Sequence, residues 1–290
     1  MKESVHHINI TLAGILSEPD TEILSCKTVV VFLHGIAGYR IGPHRMLTQF
    51  ARDLAGEGFY CMRFDFSGKG YNSHFPIATD QNSMLQDLAH VIHFVNSKLE
   101  PDHIVLAGLC LGGTVAIYGS ALAKNISRLI LLAPSALYYK ASAAKEVKTT
   151  LGRLRGYWQK MAKAETYRKI IAGRVNYSLI ARFLISPFTS YFRSKCFPDK
   201  QEAGDSTKKN PVYIAPLQNF NGSILIIFGD RDPEFEASSH QIKSLCDSNG
   251  VNYQLKAIPG ANHSFYSIEW KKQILLHIKE WMLAPKEDRS

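Results

Sequence analysis

The 290-residue sequence predicts an α/β fold, a mostly parallel sheet wrapped by helices. Three observations predict it. Short apolar runs, several rich in β-branched residues, recur through the first half and again near the end. Segments with helical apolar spacing separate them. Turns carrying Gly, Pro or Asp follow most of the runs.

Thr28–Leu33 (TVVVFL) is continuous and apolar, as a strand covered on both faces must be. It runs into His34-Gly35-Ile36-Ala37-Gly38. Residues 45–57 place Met46, Leu47, Phe50, Ala51 and Leu54 on one helical face, and Gly58 stops that helix. Tyr60–Phe64 is the next predicted strand, followed by the polar turn Asp65-Phe66-Ser67-Gly68-Lys69-Gly70. The spacing of Met84, Leu85, Leu88, Val91, Ile92 and Val95 predicts a helix over 82–99. Strands are expected at 103–107 and 126–133, around a Gly- and Ala-rich helix at 111–123. After Pro134 the pattern changes. Residues 136–212 hold helical, aromatic and basic stretches without a strand pattern, and are read as an inserted helical lid. The core domain is then 1–135 with 213–290. The sheet pattern returns at 223–228 (SILIIF), a helix follows over 238–246, a strand over 253–258 and a last helix over 269–282. The charged tail after Pro285 is expected to be disordered.

Composition narrows the class. The N-terminus lacks the apolar stretch of a secretory signal, and no run of about 18 uncharged apolar residues could span a bilayer. The five cysteines, Cys26, Cys61, Cys110, Cys196 and Cys246, are scattered and form no C-x-x-C pair. That argues against a disulfide framework or zinc knuckle and for a cytoplasmic location. Residues 136–210 hold 16 Lys and Arg against 5 Asp and Glu, while the rest of the chain holds 18 against 20. The basic excess therefore belongs to the lid segment. It is either a solvated helical surface or one that attracts an anionic partner. No nucleic-acid reader motif accompanies it. The apolar stretch 175–192 is interrupted by Arg182 and Pro187, so stable membrane insertion is not expected.

The most specific motif is Gly108-Leu109-Cys110-Leu111-Gly112, lying between a predicted strand and a predicted helix. A nucleophile on a sharp strand-to-helix turn needs small residues on either side. Its neighbour's N–H, that of Leu111, is placed to hold an oxyanion. The helix N-terminus and a nearby histidine would both favour the thiolate of Cys110. Among the 11 histidines, His263 follows the last predicted strand, on the edge where Cys110 lies. Asp230 and Asp232 follow SILIIF on the same edge. Asp232 is preferred as the carboxylate that orients His263, because the extra length of loop extends its reach; Asp230 is the alternative. The chain order is nucleophile, acid, base. A second oxyanion donor is expected from the loop after TVVVFL, at the Ile36 N–H. His34 is read as shaping that loop without transferring protons, and Asp65 as structural.

With these residues in place, the HGIAG loop, the DFSGKG turn, the elbow, and the GDRDP and GANHSF turns resemble the α/β-hydrolase superfamily over most of the chain. Within it they resemble the serine aminopeptidase and monoglyceride-lipase-like branch. The resemblance implies an eight-stranded sheet, a helical cap and no cofactor. It also implies that the acid is the Asp three residues after the Gly, Asp232. The branch carries Ser where this chain has Cys110. Cys-His-Asp versions of the fold resemble dienelactone hydrolases and certain acyl-thioester hydrolases or transferases.

A thiolate is a good nucleophile and a good leaving group, so its attack on an amide or alkyl ester tends to revert. Attack on a thioester or activated lactone reverts less. The first expectation is an acyl thioesterase or acyltransferase with an S-acyl-cysteine intermediate. The basic lid would suit a coenzyme A thioester or an acidic acyl-carrier protein. The second is a carboxylesterase or lactonase of small apolar esters, with Trp158, Tyr177, Phe183 and Phe188 lining the pocket. The third is a catalytically idle binding module on the same fold. The complete nucleophile, base and acid set argues against it.

Overall fold

The computed structural model describes residues 1–21, 24–36, 38–72, 81–135 and 215–284. The predicted lid over 136–212, with Trp158, Tyr177, Phe183 and Phe188, lies outside the described residues, as does the charged tail after Pro285.

Eight strands, the number implied by the resemblance, form one sheet among the described residues. They are β1 Lys2–His7, β2 Ala13–Glu18, β3 Thr28–Leu33, β4 Tyr60–Phe64, β5 His103–Leu109, β6 Ile126–Leu132, β7 Ser223–Gly229 and β8 Asn252–Ile258. Their spatial order is β1-β2-β4-β3-β5-β6-β7-β8. β1 and β2 pair antiparallel, β2 is antiparallel to β4, and β4, β3, β5, β6, β7 and β8 are parallel. The described helices of more than one turn are α1 Met46–Gly56, α2 Gln81–Leu99, α3 Leu111–Gly119, α4 Phe235–Asn249 and α5 Ile268–Leu283.

Burial explains why the central strands read so clearly as apolar. Val29 to Leu33 of β3 and Ile224 to Phe228 of β7 are wholly shielded from water. A parallel strand covered on both faces has no polar side to present, and each buried Val, Leu or Ile contributes roughly 1.5–3 kcal/mol. The two edges differ. β1 and β8 alternate exposed and half-buried residues along most of their length, with Lys, Glu, His, Asn and Gln among them. α1 turns Met46, Leu47, Phe50, Ala51, Leu54 and Ala55 inward, and α2 turns Met84, Leu88, Val91, Ile92 and Val95 inward. α1 contacts α5, and α2 contacts α3, in layers that flank the sheet.

The hairpin β1–β2 was not expected from the sequence. Its register, Lys2↔Glu18 to His7↔Ala13, extends the sheet beyond β4. Arg63 of β4, almost completely buried, meets Glu3 of β1 at 2.6 Å, and Arg52 of α1 meets the other Glu3 oxygen at 2.6 Å. One carboxylate thus ties the edge strand to the core. The helix predicted over 111–123 is shorter, ending at Gly119, where a Cβ would lie 2.4 Å from Leu88 of α2.

Candidate active site

The sheet register brings the site together. Leu33 pairs with Gly108, Leu109 with Leu132, Leu132 with Ile227, and Gly229 with Ile258. The parallel strands β3, β5, β6, β7 and β8 therefore end near a common line, and the loops after them open on one edge of the sheet. Cys110, Ser135, Asp232 and His263 all come from that edge.

Cys110 sits between β5 and α3 with φ 55° and ψ −123°. Such backbone is costly for a residue with a side chain and persists only where its surroundings hold it. Here the Cys110 N–H donates to the Leu132 carbonyl at 2.9 Å, and the Gly113 and Ser135 N–H groups donate to the Cys110 carbonyl at 2.9 and 3.3 Å. The flanking glycines are steric requirements. A Cβ on Gly108 would lie 2.3 Å from the Gly112 carbonyl oxygen, and one on Gly112 would lie 2.3 Å from that of Leu33.

His263 lies beyond β8, and its Nδ1–H donates to Asp232 Oδ2 at 2.8 Å. The Asp232 side chain is fully buried; its Oδ1 accepts the Glu234 N–H at 3.0 Å, which fixes the carboxylate. Asp230 is exposed and Asp232 is the carboxylate that meets the imidazole. His263 in turn acts on the ionisation of the Cys110 thiol. A fourth side chain joins them: Ser135 Oγ lies 3.2 Å from Cys110 Sγ.

These contacts redistribute one proton. Burial opposes ionisation of Cys110. Hydrogen bonds from His263 and Ser135, the His263 charge and the Leu111 N–H outweigh it, so the thiol pKa falls below its ordinary value. The hydrogen bond to Asp232 acts most strongly on His263, followed by that to Cys110; against the cost of burial they push its pKa up to about 10. The arrangement favours a thiolate–imidazolium pair. The two buried cysteines contrast with this. Burial raises the Cys61 thiol, and raises that of Cys246 to about 12.

The loop after β3 packs directly on Cys110. A Cβ on Gly35 would lie 3.1 Å from Cys110 Cβ. His34 is buried beneath this loop, with Nδ1 donating to the Gly35 carbonyl at 2.8 Å and Nε2 accepting the Phe66 N–H at 3.2 Å. Two opposite roles define the neutral Nδ1–H tautomer, and burial lowers the His34 pKa to match. The N–H of a trans peptide points away from its C=O. With the Gly35 carbonyl held toward the His34 ring, the Ile36 N–H faces the opposite way. Leu111 opens α3 beside the sulfur, and Ile36 is half exposed. Asp65 is buried and accepts from the Arg40 and Tyr71 N–H groups at 2.6 and 3.0 Å, which shapes the following turn.

The structure thus brings Cys110, His263, Asp232 and Leu111 into one cluster, with the Gly35–Ile36 loop beside it. Trp158, Tyr177, Phe183 and Phe188 lie outside the described residues. Ser135 escaped sequence reading. Its only signal was its place, three residues after a strand that ends beside the elbow strand.

Comparison with known proteins bears on the family and the fold. Residues 25–179, just over half of the chain, match the family model described as serine aminopeptidase, S33. Residues 204–274 match the dienelactone hydrolase family. A quorum-quenching protein, AidA, of Acinetobacter baumannii is 27% identical over 146 residues, 49% of this chain and 46% of its own. The chain therefore spans about half the length of that relative. An α/β serine hydrolase without lid from Xanthomonas campestris has a similar fold, with TM-score 0.56 and 16% identity over 98% of this chain and 97% of its own. A dienelactone hydrolase from Anabaena variabilis gives TM-score 0.58 and 13% identity over 97% of both chains. By sequence model and by fold, the chain belongs to the serine aminopeptidase S33 family of the α/β-hydrolase superfamily.

Proposed function

We propose that this α/β-hydrolase is an acyl thioesterase or acyltransferase that works through an S-acyl-Cys110 intermediate. The observation that carries the reading is His263 hydrogen-bonded to buried Asp232, acting with Ser135 on a Cys110 sulfur whose pKa is lowered. Cys110 Sγ attacks the acyl carbon, forming a C–S bond. The Leu111 and Ile36 N–H groups hold the oxyanion. As the tetrahedral adduct collapses, the bond to the donor's leaving group breaks and His263 supplies that group's proton. Water or another acceptor then attacks the S-acyl enzyme and gives its proton to His263. The C–S bond breaks and the electron pair returns to sulfur. Asp232 orients the imidazole and stabilises its cationic form.

Sulfur chemistry selects the donor. The Cys110 thiolate is a stable leaving group, so an adduct with a poor leaving group reverts to substrate. An acyl thioester offers a leaving group of the same kind. The charge of residues 136–210, 16 Lys and Arg against 5 Asp and Glu, suits an anionic donor such as a coenzyme A thioester or an acidic acyl-carrier protein.

A second reading, a carboxylesterase or lactonase, draws on the match of residues 204–274 to the dienelactone hydrolase family. An activated lactone shares with a thioester the property that matters here, a stabilised leaving group. Both readings are tested by presenting acyl-coenzyme A, matched oxygen esters and lactones side by side, with intact-mass detection of the acyl enzyme. The first reading expects Cys110 to carry the acyl group from the thioester and to turn it over fastest. Faster turnover of oxygen esters or lactones would replace it with the second. No adduct and no turnover with any donor would leave a binding module on a hydrolase fold.

A further inference from the structure

Among the described residues, Ser135 is the side chain at the sulfur that this reaction leaves without a role. Its position is built. The β6 strand ends at Leu132, Ala133 turns the chain with φ 41°, and its N–H donates to the Ile227 carbonyl of β7 at 2.8 Å. Pro134 packs on α3, 2.9 Å from where a Cβ on Gly113 would lie. The Ser135 N–H donates to the Cys110 carbonyl at 3.3 Å, and its own carbonyl accepts the Thr114 hydroxyl at 3.1 Å. Main-chain atoms therefore anchor this residue, and its hydroxyl is left to face Sγ at 3.2 Å.

We propose that the Ser135 hydroxyl is a second donor to the Cys110 sulfur, a catalytic residue that holds the thiolate in the resting enzyme and again as it departs from the acyl enzyme. An ionised sulfur carries no proton, so in this pair the hydroxyl donates. His263, on the β8–α5 loop, and the Leu111 N–H of α3 act on the sulfur in the same direction. Acylation removes the negative charge and weakens sulfur as an acceptor. When water has added and the C–S bond breaks, the electron pair returns to sulfur and the Ser135 O–H receives it. Deacylation should therefore depend on Ser135 more than acylation does, because a better-stabilised thiolate is a weaker nucleophile but a better leaving group.

This inference rests on Cys110 being the nucleophile, and the test separates the two. The rate of iodoacetamide alkylation of Cys110 is followed against pH in the wild type, Ser135→Ala and Ser135→Thr. The main-chain anchors survive both substitutions, and thermal melting checks the fold. The expected result is a midpoint in Ser135→Ala about one pH unit higher, the size of one lost hydrogen bond to a charged group. Ser135→Thr, which keeps the hydroxyl, should restore it. With a thioester that acylates the enzyme, Ser135→Ala should also accumulate S-acyl enzyme in the intact mass spectrum. An unmoved midpoint in Ser135→Ala, beside an activated wild-type thiol, overturns the role of Ser135. A wild-type Cys110 that alkylates like an ordinary thiol overturns the nucleophile itself.

Discussion

At Cys110 opposing influences compete for one proton: burial keeps it on sulfur, while His263, Ser135 and the Leu111 N–H draw it off. Iodoacetamide should therefore modify Cys110 below the ordinary thiol pKa, while Cys61 and Cys246, buried and raised, react only on unfolding. Peptide mapping after brief labelling checks this, and equal labelling of these three would contradict an activated thiolate. Asp232→Asn removes the strongest support for the imidazolium. We expect turnover to fall by about 10²–10⁴-fold and the alkylation midpoint of Cys110 to rise. Cys110→Ala should abolish turnover without unfolding the chain, whereas Cys110→Ser should retain some hydrolysis because the backbone donors remain. His34 acts one step further out. His34→Phe keeps ring volume but loses both hydrogen bonds, freeing the Gly35–Ile36 peptide to rotate. The expected loss is in kcat, up to about 10²-fold, with KM little changed.

The elements differ in how far local sequence specified them. TVVVFL and SILIIF were legible because a strand buried on both faces is almost wholly apolar, and YCMRF was legible from its apolar residues despite Arg63. α1 and α2 were legible from the period of their buried faces. β1 and β2 were not. β1 mixes polar and apolar residues at an edge, and the pair acquires its meaning only through Glu3, whose partners Arg52 and Arg63 are distant in sequence. The elbow shows tertiary packing overriding residue preference. Gly112→Ala should give little soluble protein, since its methyl group would collide with the Leu33 main chain. Gly56→Ala, at the end of α1 with nothing within 4 Å of the added methyl, should raise stability by about 0.4–1 kcal/mol. Chemical denaturation of the two variants tests both signs.

At the scale of the whole molecule, burial of charged and titratable groups sets the response to pH. His34 has a lowered pKa in the folded chain, so the unfolded chain binds its proton first. Stability should begin to fall as pH drops below about 6.5, the ordinary histidine value. Glu3 also has a lowered pKa; the Arg52 hydrogen bond contributes most, against burial, with help from Ser17 and Arg63. Its contribution is complete above the ordinary carboxyl range and is lost as pH falls through its lowered folded pKa. The expected profile is a loss of thermal stability in two stages, with Glu3→Gln removing the lower one. His263 has the opposite sign. Its raised pKa adds stability that is complete below about 6.5 and disappears as pH rises through about 10. Melting temperature against pH, in wild type, Glu3→Gln and His34→Phe, separates the three contributions.

By itself the sequence determined the α/β alternation, the central strands and the tight elbow around Cys110. Those features depend on periodicity, on burial of both faces and on glycine at points of close approach, all written in neighbouring residues. Only the tertiary structure decided that Asp232 and not Asp230 meets His263, that Glu3 ties β1 and β2 to the sheet, and that Ser135 stands at the sulfur. Each of these is a contact between segments distant in the chain. It is fixed by the register of parallel strands, by buried charge and by the direction in which a loop leaves its strand.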